Sequence, residues 1–199
     1  MVLAVTFWIA EPAGAAALLV ATCAILLLEF WRRGRGGRAL WLAGGFAYLC
    51  IALIAFAHLR AGPDGLRVVL WLLFIVWATD IFAYFAGRSI GGPRLWPAVS
   101  PKKTWAGVGG GTLGALLVGL VAGAAMELSG PTLGVGLLAV ALSLLAQAGD
   151  LAESYAKRRF GLKDASGLLP GHGGLSDRVD GLAAACLLLV VLQSLGGGV

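Results

Sequence analysis

Six apolar stretches, at 12–30, 39–59, 66–86, 105–125, 131–149 and 179–195, each approach the length a helix needs to cross a bilayer. That length is about 20 residues, at roughly 1.5 Å per residue over a hydrocarbon core of about 30 Å. Backbone groups in lipid must be satisfied within the segment, so each stretch is expected as an α-helix; the alternation of a barrel strand is absent. The predicted fold class is all-α, a polytopic transmembrane helical bundle of about six spanning helices. Composition agrees: 59% of the 199 residues are apolar and 13% charged, with a mean hydropathy of +0.91, against roughly 25% charged in a soluble domain. A soluble enzyme, a disordered tail and a secreted disulfide scaffold are thereby excluded. Cys23, Cys50 and Cys186 stand singly in apolar surroundings and read as buried filler. No internal repeat or Pro/Ser linker divides the chain, so a single integral membrane domain over 1–199 is expected. The first ten residues bring no basic residue before the apolar run, which speaks against a cleaved signal peptide.

Charge placement sets the expected orientation, because Lys and Arg are retained in cytoplasmic loops. Thirteen of the fifteen basic residues fall in alternate loops. Arg32, Arg33, Arg35 and Arg38 follow the first span. Arg88, Arg94, Lys102 and Lys103 follow the third, and Lys157, Arg158, Arg159, Lys163 and Arg178 the fifth. Those loops are expected in the cytoplasm, with both termini outside. The net charge of +5 is this topological signal together with attraction to anionic lipid, and calls for no nucleic acid. GxxxG spacings at Gly110/Gly114 and Gly119/Gly123 read as helix packing inside the bundle, with a subunit interface of a homo-oligomer, such as a homodimer, as the alternative.

The ionisable residues gather at the cytoplasmic side. Asp80 lies inside the third span, where a carboxylate costs several kcal/mol unless paired, hydrated or metal-bound, so it is a candidate site residue; a helix–helix hydrogen bond is the alternative. Asp150 ends the fifth span, and on a continuing helix Ser154, Lys157 and Arg158 follow on one face. A carboxylate, a hydroxyl and two cations so arranged suit a metal ion and the phosphates it bridges, or else decorate a solvated helix. The densest segment holds Lys163 and Asp164, then His172, Gly173 and Gly174, then Asp177, Arg178 and Asp180. A loop so rich in glycine lets backbone N–H groups approach an anion. Asp177 and Asp180, three residues apart at the start of the sixth span, would share a cation, and oxygen-only ligands favour Mg²⁺; a helix N-terminus also tolerates acids through its dipole alone. Ser100, Pro101, Lys102, Lys103, Thr104 and Trp105 place hydroxyl and basic groups before an interfacial tryptophan. The chain lacks a Walker A loop, GxSxG and HExxH. Residue chemistry alone therefore reaches a membrane enzyme handling a phosphorylated lipid or nucleotide.

The segment from 154 to 180 resembles the signature of the phosphatidate cytidylyltransferases (CDP-diacylglycerol synthases). Ser154, Lys157, Arg158, Lys163, Asp164, Pro170, His172, Gly173, Gly174, Asp177, Arg178 and Asp180 stand at that family's spacing. Gly149, Asp150, Leu151 and Glu153 agree, as do Asp80, Ala83, Tyr84, Gly87, Ser100, Pro101, Lys103, Thr104, Trp105 and Gly107; the likeness covers about 66–195. Ala156 and the Ile81-Phe82 pair depart from the pattern. The resemblance implies transfer of a cytidylyl group from CTP to phosphatidic acid with release of pyrophosphate, Mg²⁺-dependent, at the cytoplasmic face of a bacterial-type inner membrane. It implies Asp80, Asp150, Asp177 and Asp180 as metal ligands. Lys157, Arg158, Lys163, Asp164, His172 and Arg178 would be catalytic, and Ser100, Lys102, Lys103, Ser154, Gly173 and Gly174 would bind substrate. Other readings are a cytidylyltransferase or CTP-dependent kinase acting on another membrane lipid, and an ion-coupled transporter using Asp80.

Overall fold

The computed structural model describes residues 39–128, 130–159 and 176–194, with backbone alone at 39–43, 46, 49 and 176–180. In chain order the elements are α1 (Ala39–Ala61), α2 (Gly65–Ser89), β1 (Arg94–Trp96), β2 (Ser100–Thr104), α3 (Trp105–Ala125), α4 (Thr132–Arg159) and α5 (Ser176–Ser194). The expected span at 105–125 coincides with α3, whose start is fixed by Thr104 as N-cap: its side chain accepts from Gly107 N at 3.1 Å. Among the described residues α2, α3 and α4 are long and apolar enough to cross a membrane, and α1 and α5 contribute the shorter apolar runs Cys50–Ala61 and Gly181–Ser194. The chain is thus a mostly helical membrane protein. The expected first span, 12–30, lies outside the described residues.

One feature differs from the sequence expectation and a second fits it. The loop between α2 and α3 is an antiparallel hairpin of β1 and β2, paired Arg94 to Thr104 and Trp96 to Ser100 with an irregularity between. This adds a small sheet to the all-α reading. Second, α4 runs ten residues past the expected end of its span at 149, into the basic segment, so that Asp150, Ser154, Lys157 and Arg158 do sit on one continuous helix.

The core is built on α2. Trp71, Leu72 and Ile75 from α2, Leu142 from α4 and Leu189 from α5 are fully buried in one cluster. α3 presents glycines to it, and these set how closely the helices approach. A Cβ added at Gly111 would stand 2.8 Å from the Thr79 carbonyl oxygen of α2, and one at Gly119 2.6 Å from the Ala139 Cβ of α4. The buried Trp71 indole uses the same proximity, donating from Nε1 to the Gly119 carbonyl at 2.8 Å. Among the described residues the GxxxG positions therefore pack helices of one chain together, the first of the two readings above.

Candidate active site

Where the C-terminal half of α2, strand β2, the start of α3 and the lower part of α4 converge, they enclose a cavity of about 420 Å³. α2 supplies Asp80, Ala83, Tyr84, Gly87 and Arg88, which the 3.6-residue period places on one face. Asp80 stands nine residues before the end of α2 at Ser89, a depth of about 13 Å along the axis. Gly87 and Gly107 form the close contact at the base: a Cβ at Gly87 would stand 3.0 Å from Thr104 Oγ1 and 3.6 Å from the Gly107 Cα. Gly91 and Gly92, at φ 68° and 93°, turn the chain after α2 in a backbone region other residues disfavour, and so send the hairpin back over the helix ends. β2 then delivers Lys102, Lys103 and Thr104 to the cavity, and α4 delivers Gln147 and Asp150.

The dominant interaction is an ion pair across the site. Lys103 Nζ lies 2.5 Å from Asp150 Oδ2, both side chains partly screened from solvent at 27% and 38% exposure. Ser154 Oγ donates to Asp150 Oδ1 at 3.3 Å, so Asp150 is held from two sides. Asp80 lines the same cavity, which brings two carboxylates of distant sequence position together. Repulsion between two such groups falls when a cation lies between them. Two carboxylates and a hydroxyl also make an oxygen-only donor set, the type preferred by hard divalent cations that take one or two protein carboxylates plus substrate phosphates. Among the described residues no group of three or more His, Cys, Asp and Glu side chains is assembled.

The hairpin is fastened to the end of α4. Trp96 stacks on Tyr155 with ring centroids 5.7 Å apart at 27°, and Arg158 Nε donates to the Val99 carbonyl at 3.3 Å. Lys157 pairs with Glu153 at 3.5 Å one turn back on the same helix.

Of the residues singled out in the sequence, Asp80, Lys102, Lys103 and Asp150 meet in the cavity, and Ser154 joins through its bond to Asp150. Ser100 opens β2 opposite Trp96, at the other end of the strand from the cavity. Lys157 and Arg158 lie about two turns beyond Asp150 on α4, engaged as described. Lys163, Asp164, His172, Gly173 and Gly174 lie outside the described residues. Asp177, Arg178 and Asp180 belong to the first turns of α5, whose backbone alone is described there. The next residue, Gly181, packs against Ala146, one turn before Asp150: a Cβ added to it would stand 3.3 Å from the Ala146 carbonyl oxygen. The start of α5 and Asp150 therefore lie at the same level of the bundle.

Gln147 is the polar lining residue that the sequence reading passed over, and Arg88 was read only as a topology signal. Both could have been reached from helical spacing, since Gln147 precedes Asp150 by three residues and Arg88 follows Asp80 by eight.

The fold and site define a class: a helical membrane protein with a cavity of paired carboxylates and cations at one end of its bundle. A model of the cytidylyltransferase family matches residues 1–195, and the chain belongs to that family. Among curated relatives, a protein of Brucella abortus named phosphatidate cytidylyltransferase is 47% identical over 178 residues, which cover 89% of this chain and 64% of the relative. Another so named, from Staphylococcus epidermidis, is 42% identical over 146 residues, covering 73% of this chain and 55% of the relative. The chain thus spans between half and two thirds of the length of these relatives.

Proposed function

We propose that this chain is a phosphatidate cytidylyltransferase, forming CDP-diacylglycerol and pyrophosphate from CTP and phosphatidic acid at the cytoplasmic face of an inner membrane. The observation that carries the reading is the Lys103–Asp150 pair facing Asp80 in one cavity at the end of membrane-crossing helices, where a lipid phosphate and a soluble nucleotide can meet. The relatives' names support the choice of substrates. A phosphate oxygen of the lipid attacks the α-phosphorus of CTP, the bond from that phosphorus to the bridging β-phosphate oxygen breaks, and pyrophosphate leaves. The nucleophile is already ionised near neutral pH, so the site needs charge neutralisation and alignment rather than a strong base. Lys103, held over the cavity by Asp150, can exchange that carboxylate for a phosphate oxygen; Lys102 and Arg88 add positive charge at the rim. Asp80 and Asp150 are the described carboxylates that would hold Mg²⁺, with Asp177 and Asp180 joining from the start of α5. The ion would supply neutralisation of charge developing on the leaving pyrophosphate. Lys157, Arg158, Lys163, His172, Gly173, Gly174 and Arg178 complete the phosphate-binding surface in this reading, with Asp164 as a further catalytic residue beside Lys163.

Purified protein given phosphatidic acid, CTP and Mg²⁺ is expected to release pyrophosphate in a phosphatidate-dependent manner, and Lys103→Ala to lower that rate by roughly 10²-fold, the scale of one lost electrostatic contact to the transition state. No release from the wild type would overturn the assignment. Wild-type kinetics in the variant would reduce Lys103 to a topology signal.

The reading includes six spans with both termini outside, supported by the asymmetry of basic residues and by the grouping of Arg88, Lys102, Lys103, Lys157 and Arg158 at one end of the bundle. Single cysteines placed at the C-terminus and between residues 32 and 38 should label from opposite sides of intact inverted and right-side-out vesicles. Labelling of both from one side would reject this topology.

A further inference from the structure

Beneath the cavity a chain of polar side chains crosses three helices. The hydroxyls of Thr79 on α2 and Ser143 on α4 share a hydrogen bond of 2.9 Å, and Thr79 also donates to the Ile75 carbonyl at 2.8 Å. Gln147 Nε2 donates to Ser143 Oγ at 3.3 Å and to Thr112 Oγ1 on α3 at 3.4 Å. Thr79 and Ser143 are 1% and 0% exposed in segments otherwise filled with Leu, Ile and Ala. Ser and Thr are common where membrane helices meet and bond across the interface; what sets these apart is where they stand. Thr79 directly precedes Asp80. Ser143, Gln147 and Asp150 fall at i, i+4 and i+7, one stripe of α4. The chain thus starts beside one cavity carboxylate and ends one turn from the other, with Gln147 itself lining the cavity.

We propose that Thr79, Ser143, Gln147 and Thr112 form a positioning clamp that fixes the axial register of α2 against α4 and thereby the spacing of Asp80 and Asp150. Apolar contacts hold helices together but tolerate sliding and rotation. A slip of one residue on α2 would move Asp80 by about 1.5 Å and turn it by about 100°, away from its partner. Such a slip would break the hydroxyl–hydroxyl bond between α2 and α4 and leave Thr79 only the Ile75 carbonyl of its own helix, so the cross-helix bond favours one register. The clamp bears on the reaction because two carboxylates that share a cation and substrate phosphates must keep a set separation; the inference rests on the cavity being the cytidylyl-transfer site.

The test uses the full chain without its three native cysteines, spin-labelled at Ser89→Cys and Ala152→Cys near the ends of α2 and α4. Thr79→Val, which keeps shape and removes the hydroxyl, should broaden or shift the distance distribution between the labels. In the enzyme assay it should raise the half-saturating Mg²⁺ concentration by about tenfold or more, as changes behind metal ligands do. Thr79→Ser should restore both. Gln147→Leu, at the less buried end, gives the same two shifts and serves if Thr79→Val fails to fold. Lower thermal stability with unchanged distances and unchanged Mg²⁺ half-saturation would overturn the clamp and leave these residues as structural hydrogen bonds. A wild type without cytidylyl transfer would sink the functional reading alone, since the distance measurement still decides whether the register depends on the hydroxyl.

Discussion

Asp150→Asn is expected to lower CDP-diacylglycerol formation by about 10³-fold while the protein still inserts and purifies as the wild type does. The size follows from what Asp150 touches. It is the acid paired with Lys103, it accepts from Ser154, and it shares a cavity with Asp80. Asn keeps the size and can still accept from Ser154, so the helix and its local bond survive. The charge is lost, and with it both the electrostatic hold on Lys103 and one of the two described carboxylates facing the substrates. Losing one preorganised charged contact in a partly enclosed site costs about 10²–10³-fold, and a metal ligand costs at least as much. The measurement is kcat at saturating CTP and phosphatidate across a Mg²⁺ titration. A rate within tenfold of the wild type would make Asp150 a structural ion-pair residue and remove it from the site.

The second large effect is on the fold. Gly111→Leu should lower the unfolding midpoint in detergent by roughly 5–10 °C and take activity with it, because α3 meets α2 where a Cβ would press on the Thr79 carbonyl oxygen at 2.8 Å and the Ala83 Cβ at 3.0 Å. A backbone carbonyl cannot rotate away as a side chain can, so the helices must separate. Overpacking of this kind costs about 1–3 kcal/mol or more, and each kcal/mol moves the midpoint of a chain this size by about 2–4 °C. Gly109 is the control on the same helix: nothing lies within 4 Å of a Cβ built there. Gly109→Ala should be neutral or slightly stabilising, since Ala is the better helix former by about 1 kcal/mol. A Gly111→Leu protein as stable as Gly109→Ala would show that α2 and α3 are not packed this closely.

The helices were legible because lipid leaves a segment of apolar residues no other structure, and the apolar run at 105–125 matches α3 at both ends. The hairpin was not: Ser100 to Thr104 is a polar strand carrying Pro101, without the alternation that betrays a half-buried strand. In the site, Asp80 and Asp150 stood out singly, as charges in apolar runs must. That Lys103 pairs with Asp150 could not be read locally, since the bond joins residues 47 positions apart and exists only once α4 lies beside the hairpin. Gln147 and Ser143 escaped for a related reason: a lone amide or hydroxyl in an apolar helix looks tolerable until its partners on neighbouring helices are known. The glycines announced close packing, but not which helix would fill the space they leave.

The fastening of the hairpin to α4 has a mechanical meaning. In sequence the hairpin belongs between α2 and α3, yet Trp96 against Tyr155 and Arg158 on the Val99 carbonyl tie it to the far end of α4, which also carries the acid that Lys103 grips. The hairpin with Lys102 and Lys103 is thereby anchored to α4 from outside the cavity, while Asp80, Tyr84 and Arg88 on α2 line the opposite wall. Because those two ties do not involve the lysine, the hairpin stays moored when Lys103 lets go of Asp150, and the ammonium has only its own side chain to swing.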